Sequence, residues 1–475
     1  MIRRLKYRYL AFFVLALLLA ALVFILRPVD VRYQNLLRQG DTLASNSERT
    51  AAAAVYEEAL QLRRDDPEPY LRLAQLYLDW GRTDEALAML TEAERLGVGP
   101  GDSVRLERLW VAVYVARADW PAVIEHAQSM IALSPDDTPG GGDARHILAR
   151  AYVEVRDWDA AREEYEALLQ SDPDDALAHE RLGALLAGDD PAAIQHLFAA
   201  GTSLADELLA TLEEPGVAND PAYTQALLGR VLVEAEEWAL ASYHFEQALH
   251  LNSSYPDAHA YLGYVLIQMD HPREAWPHLL MAVSWAPDSV VTHTFLGLYY
   301  EEQGDYAAAR AEYEAAYDLD PTNPALCVAI GNMWAAEGRY VAAEIWLQEA
   351  VSLDSDSPVW WEALARFYLD HNITFEGRAV SAAEKLLEFA PDDARVYDLS
   401  GWAAFQSGDQ ATALERLSRA LDLDPTLASA HYHLGVLLDE QGDSQGAQEA
   451  FARAIDLDTT GEFAPLVERA TGETP

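Results

Sequence analysis

The chain has 475 residues, of which 78 are acidic and 33 basic, giving a formal charge of −45, and 51% are hydrophobic. One hydrophobic core stops growing at about 250–300 residues, so this length demands several domains or a repeat array. So strong a negative field opposes any polyanion, which excludes DNA and RNA as partners, while the apolar content excludes wholesale disorder.

The single cysteine, Cys327, allows no intrachain disulfide and no thiolate zinc cluster. Neither lysine, Lys6 or Lys385, follows a glycine, so there is no phosphate-binding loop. A nucleophile elbow, a zinc-protease helix and a dinucleotide fingerprint are equally missing; His179-Glu180 lacks its second histidine.

The stretch Leu10–Leu26 is uncharged and apolar, long enough at the short end of the range to cross a bilayer as a helix. It runs into Ile25-Leu26-Arg27-Pro28 without the small-x-small site of a cleaved signal peptide, so the expectation is an uncleaved single-pass anchor in the cell membrane. Arg3, Arg4, Lys6 and Arg8 before it outweigh Arg27, Arg32 and Arg38 after it, which predicts a cytoplasmic N-terminus with the rest of the chain extracytoplasmic; the alternative is a cytoplasmic array. Whether Ala16 and Ala20 pair two anchors is open, and so is the oligomeric state.

From Tyr33 onward the sequence repeats every 34 residues. Slot 8 holds Gly or Ala in every unit except at Val111, and slot 20 is alanine in every unit except at Val123 and Gln195. Twelve units fit, with inserts of 3, 4, 12 and 2 residues before units 3, 4, 6 and 11. Within a unit, apolar residues such as Tyr306, Ala309, Tyr313, Ala316 and Tyr317 recur at helical spacing, and turns such as Gly304-Asp305 split the unit into two helices. The small residues of slots 8 and 20 predict close helix approach, with Trp120, Trp158, Trp238, Tyr306 and Tyr340 of slot 17 filling the space beside them. Prolines such as Pro135, Pro173, Pro287, Pro321, Pro391 and Pro425 end the second helix at slot 32.

This pattern resembles the tetratricopeptide repeat (TPR) over about nine tenths of the chain. The resemblance implies an all-α, right-handed superhelical solenoid of about twelve helix hairpins, here preceded by one N-terminal transmembrane helix. The expected organisation is an anchor over 1–32, units 1–5 over 33–200 with the fifth degenerate, an irregular joint over 201–221 with an extra helix near Leu204 to Leu212, units 6–12 over 222–461, and a tail or short cap over 462–475. Each unit is expected to touch its neighbours alone.

Residues that could carry chemistry read as structural. His179, His259, His293 and His431 share slot 4, but equivalent slots on packed helices lie about 8–10 Å apart, too far for a shared metal, so they read as packing residues. Cys327 at slot 4 reads as a buried hydrophobe. The pairs Asp65-Asp66, Asp136-Asp137, Asp174-Asp175 and Asp392-Asp393 sit beside the helix-ending prolines and read as caps of the next helix. No catalytic, cofactor or metal site is assigned.

What the resemblance implies is a non-enzymatic, membrane-tethered scaffold that binds protein or peptide partners on its concave surface, in envelope assembly or secretion. The alternative is an accessory subunit or relative of a TPR-containing glycosyltransferase in polysaccharide biogenesis. By the same resemblance, slots 2, 5, 9, 12 and 13 face the groove, which places Tyr264, Asn332, Arg366, Arg395, Trp402, Phe405 and Tyr432 there. The family's carboxylate clamp is broken, because Val328, Ala363 and Leu399 stand where it needs polar or cationic side chains.

Overall fold

The computed structural model describes residues 29–133, 141–214, 219–371 and 377–471, and every regular element among them is a helix. Hairpin 1 pairs the helix 29–45 with Arg49–Leu62, hairpin 2 Glu68–Asp79 with Thr83–Leu96, and hairpin 3 Ser103–Ala116 with Trp120–Leu133. Hairpins 4 and 5 are Gly141–Glu154 with Trp158–Ser171, and Ala176–Leu186 with Ala192–Ala200. After the extra helix Ser203–Glu213 come hairpin 6, Pro221–Glu234 with Trp238–Leu251, and hairpin 7, Pro256–Gln268 with Pro272–Trp285. Hairpin 8 is Val290–Glu302 with Tyr306–Leu319, hairpin 9 Pro324–Ala336 with Tyr340–Leu353, and hairpin 10 Pro358–Asp370 with Arg378–Phe389. Hairpin 11 is Ala394–Gln406 with Gln410–Leu423; unit 12 supplies Ala428–Glu440 and Ser444–Leu457, and Phe463–Thr471 closes the chain.

The expected transmembrane helix over Leu10–Leu26 lies outside the described residues. Among those described, no helix is long and apolar enough to cross a membrane. The fold class is therefore corrected: among the described residues it is an all-α hairpin array in which no helix is long and apolar enough to span a membrane. The single-pass membrane localisation, its cytoplasmic N-terminus and the membrane as a partner are withdrawn with it.

Why each unit folds back on itself is visible at slot 15. Gly81, Gly304, Gly338, Gly408 and Gly442 hold this position at φ between 72° and 87°. In five further units another residue there adopts the same left-handed backbone: Ser47, Ala118, Arg156, Glu236 and Asp270 lie at φ 52–62°. The turn geometry thus overrides the residue's own preference. The next residue caps the second helix, as when Asp305 accepts from the Ala308 N–H at 3.1 Å and Asp409 from the Thr412 N–H at 3.1 Å.

The close approach within a hairpin is made by slots 8 and 24. A Cβ on Gly229 would lie 2.8 Å from the Phe245 ring, on Gly263 2.5 Å from Leu279, and on Gly401 2.8 Å from Leu417. The large residue that fills the space beside each glycine therefore sits at slot 24, and the slot 17 rings go elsewhere. Trp158 tilts against Tyr243, Trp238 meets Tyr264 edge-on, and Tyr340 packs by Phe367 and His371. The two-residue insert assigned before unit 11 belongs inside hairpin 10: Pro358–Asp370 and Arg378–Phe389 are seven residues apart where hairpin 9 needs three.

Two compact units result. Residues up to Leu133 form one together with those from Leu438 onward, and Ser134–Leu437 form the other. In the second, one core runs from Ala149 to Leu296 and takes in Ala205 and Leu208 of the helix Ser203–Glu213, both fully buried. In the first, residues of unit 12 touch hairpins 1 and 2, about 400 positions away in sequence. The expectation that each unit meets its sequence neighbours alone is corrected by that contact.

Candidate protein-interaction surface

The seven groove residues expected from the sequence all fall on first helices of hairpins 7–12, in the second compact unit. The first helices of hairpins 7 and 8, 9 and 10, and 10 and 11 touch one another, and Trp402 meets His433 across hairpins 11 and 12, so equal slots on these neighbours line up along one face. Asn332, Arg366 and Trp402 occupy slot 9 on three consecutive first helices.

The aromatic members are partly used in joining hairpins. Tyr264 stacks on Phe295 of the next hairpin, centroids 4.5 Å apart and planes 11° from parallel. Trp402 does the same with His433, at 4.3 Å and 16°, and also stacks on Phe405 of its own helix at 4.9 Å. Tyr432 tilts against His433 at 5.6 Å. All four expected rings remain half-buried.

A residue set absent from the sequence reading orients this stack. His433 Nδ1 lies 2.7 Å from Asp398 Oδ1, and the Ser429 hydroxyl donates to Asp398 Oδ2 at 2.7 Å. Asp398 is only 5% exposed, so its carboxylate depends on these donors. The signal was an acid at slot 5 facing a histidine at slot 6 of the next unit, which no single repeat displays.

The polar members remain exposed. Arg366 pairs with Glu362 one turn earlier, at 2.8 Å, and Asn332 faces solvent. Arg395 pairs with its own helix cap, Asp393, at 3.2 Å. That guanidinium holds the Asp393 carboxyl below the usual aspartate range and is itself raised by the pairing. Both ion pairs are solvent-screened and exchangeable.

Three of the slot 4 histidines, His179, His259 and His293, pair inside their own hairpins, with the second helix. His259 and His278 bring their Nδ1 atoms to 2.8 Å, His179 and His196 theirs to 2.9 Å, and His293 Nδ1 lies 2.7 Å from Glu312. The Nε2 of each of the four slot 4 histidines donates to the carbonyl at slot 32 of the preceding unit: Ser253 for His259, Pro173 for His179, Pro287 for His293, and Pro425 for His431. These rings staple one unit to the next. Among the described residues no group of three His, Cys, Asp or Glu could hold a metal ion. Cys327 is buried, and that burial, with Glu349 near, pushes its thiol up to about 11, far from a reactive thiolate.

The paired acids act as caps. Asp66 accepts from the Glu68 N–H at 3.1 Å, Asp175 from Ala178 at 3.0 Å, and Asp393 from Arg395 at 2.8 Å. Asp136 and Asp137 lie outside the described residues.

Tetratricopeptide-repeat profiles match residues 43–97 and 300–367, 142–185 and 428–460, and a TPR-repeat profile matches 401–442. No curated protein matches the chain. Among solved structures, yeast Tom70 is 16% identical, covering 94% of this chain and 96% of its own, with a TM-score of 0.40. The Cut9–Hcn1 hetero-tetramer of the APC/C is 15% identical over 92% and 96%, with a TM-score of 0.39. A tetratricopeptide repeat protein from Parabacteroides merdae is 14% identical over 53% and 99%, at 0.43. At these identities and scores the likenesses say nothing about what this chain binds. Slot by slot, the turn at position 15, the glycine notch at 8 and the helix pair around them recur through the chain, and together with the matched profiles they make it a member of the tetratricopeptide repeat family.

Proposed function

We propose that the chain is a non-enzymatic scaffold that binds a protein or peptide segment along the first helices of hairpins 7–12, through Tyr264, Asn332, Arg366, Arg395, Trp402, Phe405 and Tyr432. A TPR array suits protein binding, because stacked hairpins offer an extended surface instead of an enclosed substrate pocket. The observation that carries the reading is the half-buried stack of Trp402 between Phe405 and His433, aligned in register with the exposed guanidinium of Arg366. Tryptophan, tyrosine and arginine dominate binding hot spots, and a ring already held between two others loses little freedom on binding. The ligand that fits is an extended or helical segment with an apolar anchor and some negative charge, which exchanges into the Glu362 and Asp393 pairs.

The test is a pull-down followed by titration of the captured partner against Trp402→Ala/Arg366→Ala. Binding is expected to weaken at least tenfold, about 1.4 kcal/mol, with the helical circular-dichroism signal intact. Full-strength binding by that folded variant would remove the site from this face.

A further inference from the structure

Hairpins 1 and 2 carry a second feature, in the other compact unit. The helix Arg49–Leu62 starts after Glu48, which makes no side-chain cap bond. Its cap comes from far along the chain: Asp456 Oδ1 accepts from the Thr50 N–H at 3.0 Å and from the Thr50 hydroxyl at 2.7 Å. A carboxylate at a helix N-terminus satisfies an orphan donor and complements the positive end of the helix.

Around this cap the two surfaces match group for group. Arg49 donates to the carbonyls of Asp456 at 2.7 Å and Asp458 at 3.2 Å, two acceptors left unpaired where the helix Ser444–Leu457 ends. Trp80 Nε1 donates to the Ile455 carbonyl at 3.1 Å, and the Ile455 side chain packs on the apolar core of hairpins 1–3. Gly81 leaves room for the Thr459 carbonyl, which a Cβ there would meet at 2.0 Å. Arg82 lies over the rings of Tyr77 and Trp80, at 5.0 and 4.9 Å.

The receiving surface is thus built from Arg49, Trp80 and the apolar core that Ile455 packs on, and arginine and tryptophan are residue types that concentrate binding energy. The occupying segment is the turn Ile455-Asp456-Leu457-Asp458-Thr459. We infer that hairpins 1 and 2 form a binding site for a helix C-terminal turn carrying an apolar residue followed by aspartate, and that the chain's own residues 455–459 occupy it as an intramolecular competitor. A partner presenting that chemistry gains the site by displacing the C-terminal turn. The site does not depend on the reading of hairpins 7–12, since its residues and its occupant lie in the other unit.

The probe is a fluorescently labelled synthetic peptide spanning residues 450–462, titrated into the full chain. An intramolecular ligand competes at high effective concentration, so the wild-type chain is expected to bind the peptide weakly. Ile455→Ala/Asp456→Ala, which alters the occupant and leaves the receiving residues untouched, is expected to bind it at least tenfold more tightly. Adding Arg49→Ala to that variant should reverse the gain. Should the double variant lose its helical signal, Asp456→Ala alone carries the comparison. Equal binding by the wild-type and the altered chain, including no binding by either, overturns the inference, as does a gain that survives Arg49→Ala.

Discussion

A Cβ placed on Gly297 would lie 2.7 Å from Cε1 of the Tyr313 ring, closer than any real side-chain contact. Tyr313 has little room to yield, because it is 3% exposed and its hydroxyl donates to Glu301 Oε2 at 2.6 Å. Helix propensity favours alanine over glycine by about 1 kcal/mol, whereas overpacking costs about 1–3 kcal/mol. Gly297→Leu, with its larger side chain, is therefore expected to lose at least that much stability in urea denaturation. Gly99→Ala, where nothing lies within 4 Å, should stay within about 0.5 kcal/mol of wild type. An unchanged midpoint for Gly297→Leu would refute the slot 8 to slot 24 packing.

The left-handed residues of slot 15 make the opposite kind of prediction. Ala118 sits at φ 52° and Arg156 at φ 62°, a backbone that costs a residue with a Cβ about 1–2 kcal/mol. Glycine relieves that strain and gives back part of the gain through its freer unfolded chain. Ala118→Gly is expected to stabilise by roughly 0.5–1 kcal/mol. Arg156→Gly should show no such gain, because Arg156 also pairs with Glu274 at 2.7 Å and Glu246 at 3.3 Å. Thermal melts of the two variants, side by side, check the contrast.

Acidification should weaken the second unit. Burial lowers the His244 imidazole to about 4 despite its bond to the Ala184 carbonyl, and burial with the neighbouring His259 lowers His278 to about 4. An unfolded histidine titrates near 6.5. Between about pH 6.5 and 4 the unfolded chain therefore takes up protons that the folded chain refuses, so stability is complete above that window and declines as the pH falls through it. The slope per proton is about 1.4 kcal/mol per pH unit. Denaturation curves from pH 7.5 to 4.5 should show the decline, and His244→Gln should flatten it by up to one proton. A slope identical in wild type and variant would mean that His244 does not titrate as a buried neutral ring.

Much of this protein is local and could be read along the chain. The 34-residue period marks the helices, because a hairpin must bury one stripe of each helix at 3.6-residue spacing. Slot 15 glycines mark the turns, and aspartates beside prolines mark the caps. Slot 8 glycines announced a close approach, yet their true partner at slot 24 was hidden by the louder aromatic signal of slot 17. The histidines of slot 4 were legible as structural, whereas their partners His196, His278 and Glu312 lie on the second helix, a separation that one-dimensional register does not display.

What tertiary structure alone decided is where distant units meet. Nothing in Asp456 or Trp80 marks them as partners, since a capping carboxylate and an indole N–H carry the same signature wherever they sit. Their pairing joins residues more than 370 positions apart, and no residue type encodes so distant a partner. The groove set divides for the same reason. Slot numbers placed Trp402 and Arg366 on one face, because helical register is a local property. How far Trp402 is consumed by His433, and how Asp398 holds that ring, was settled by the packing of one hairpin on the next.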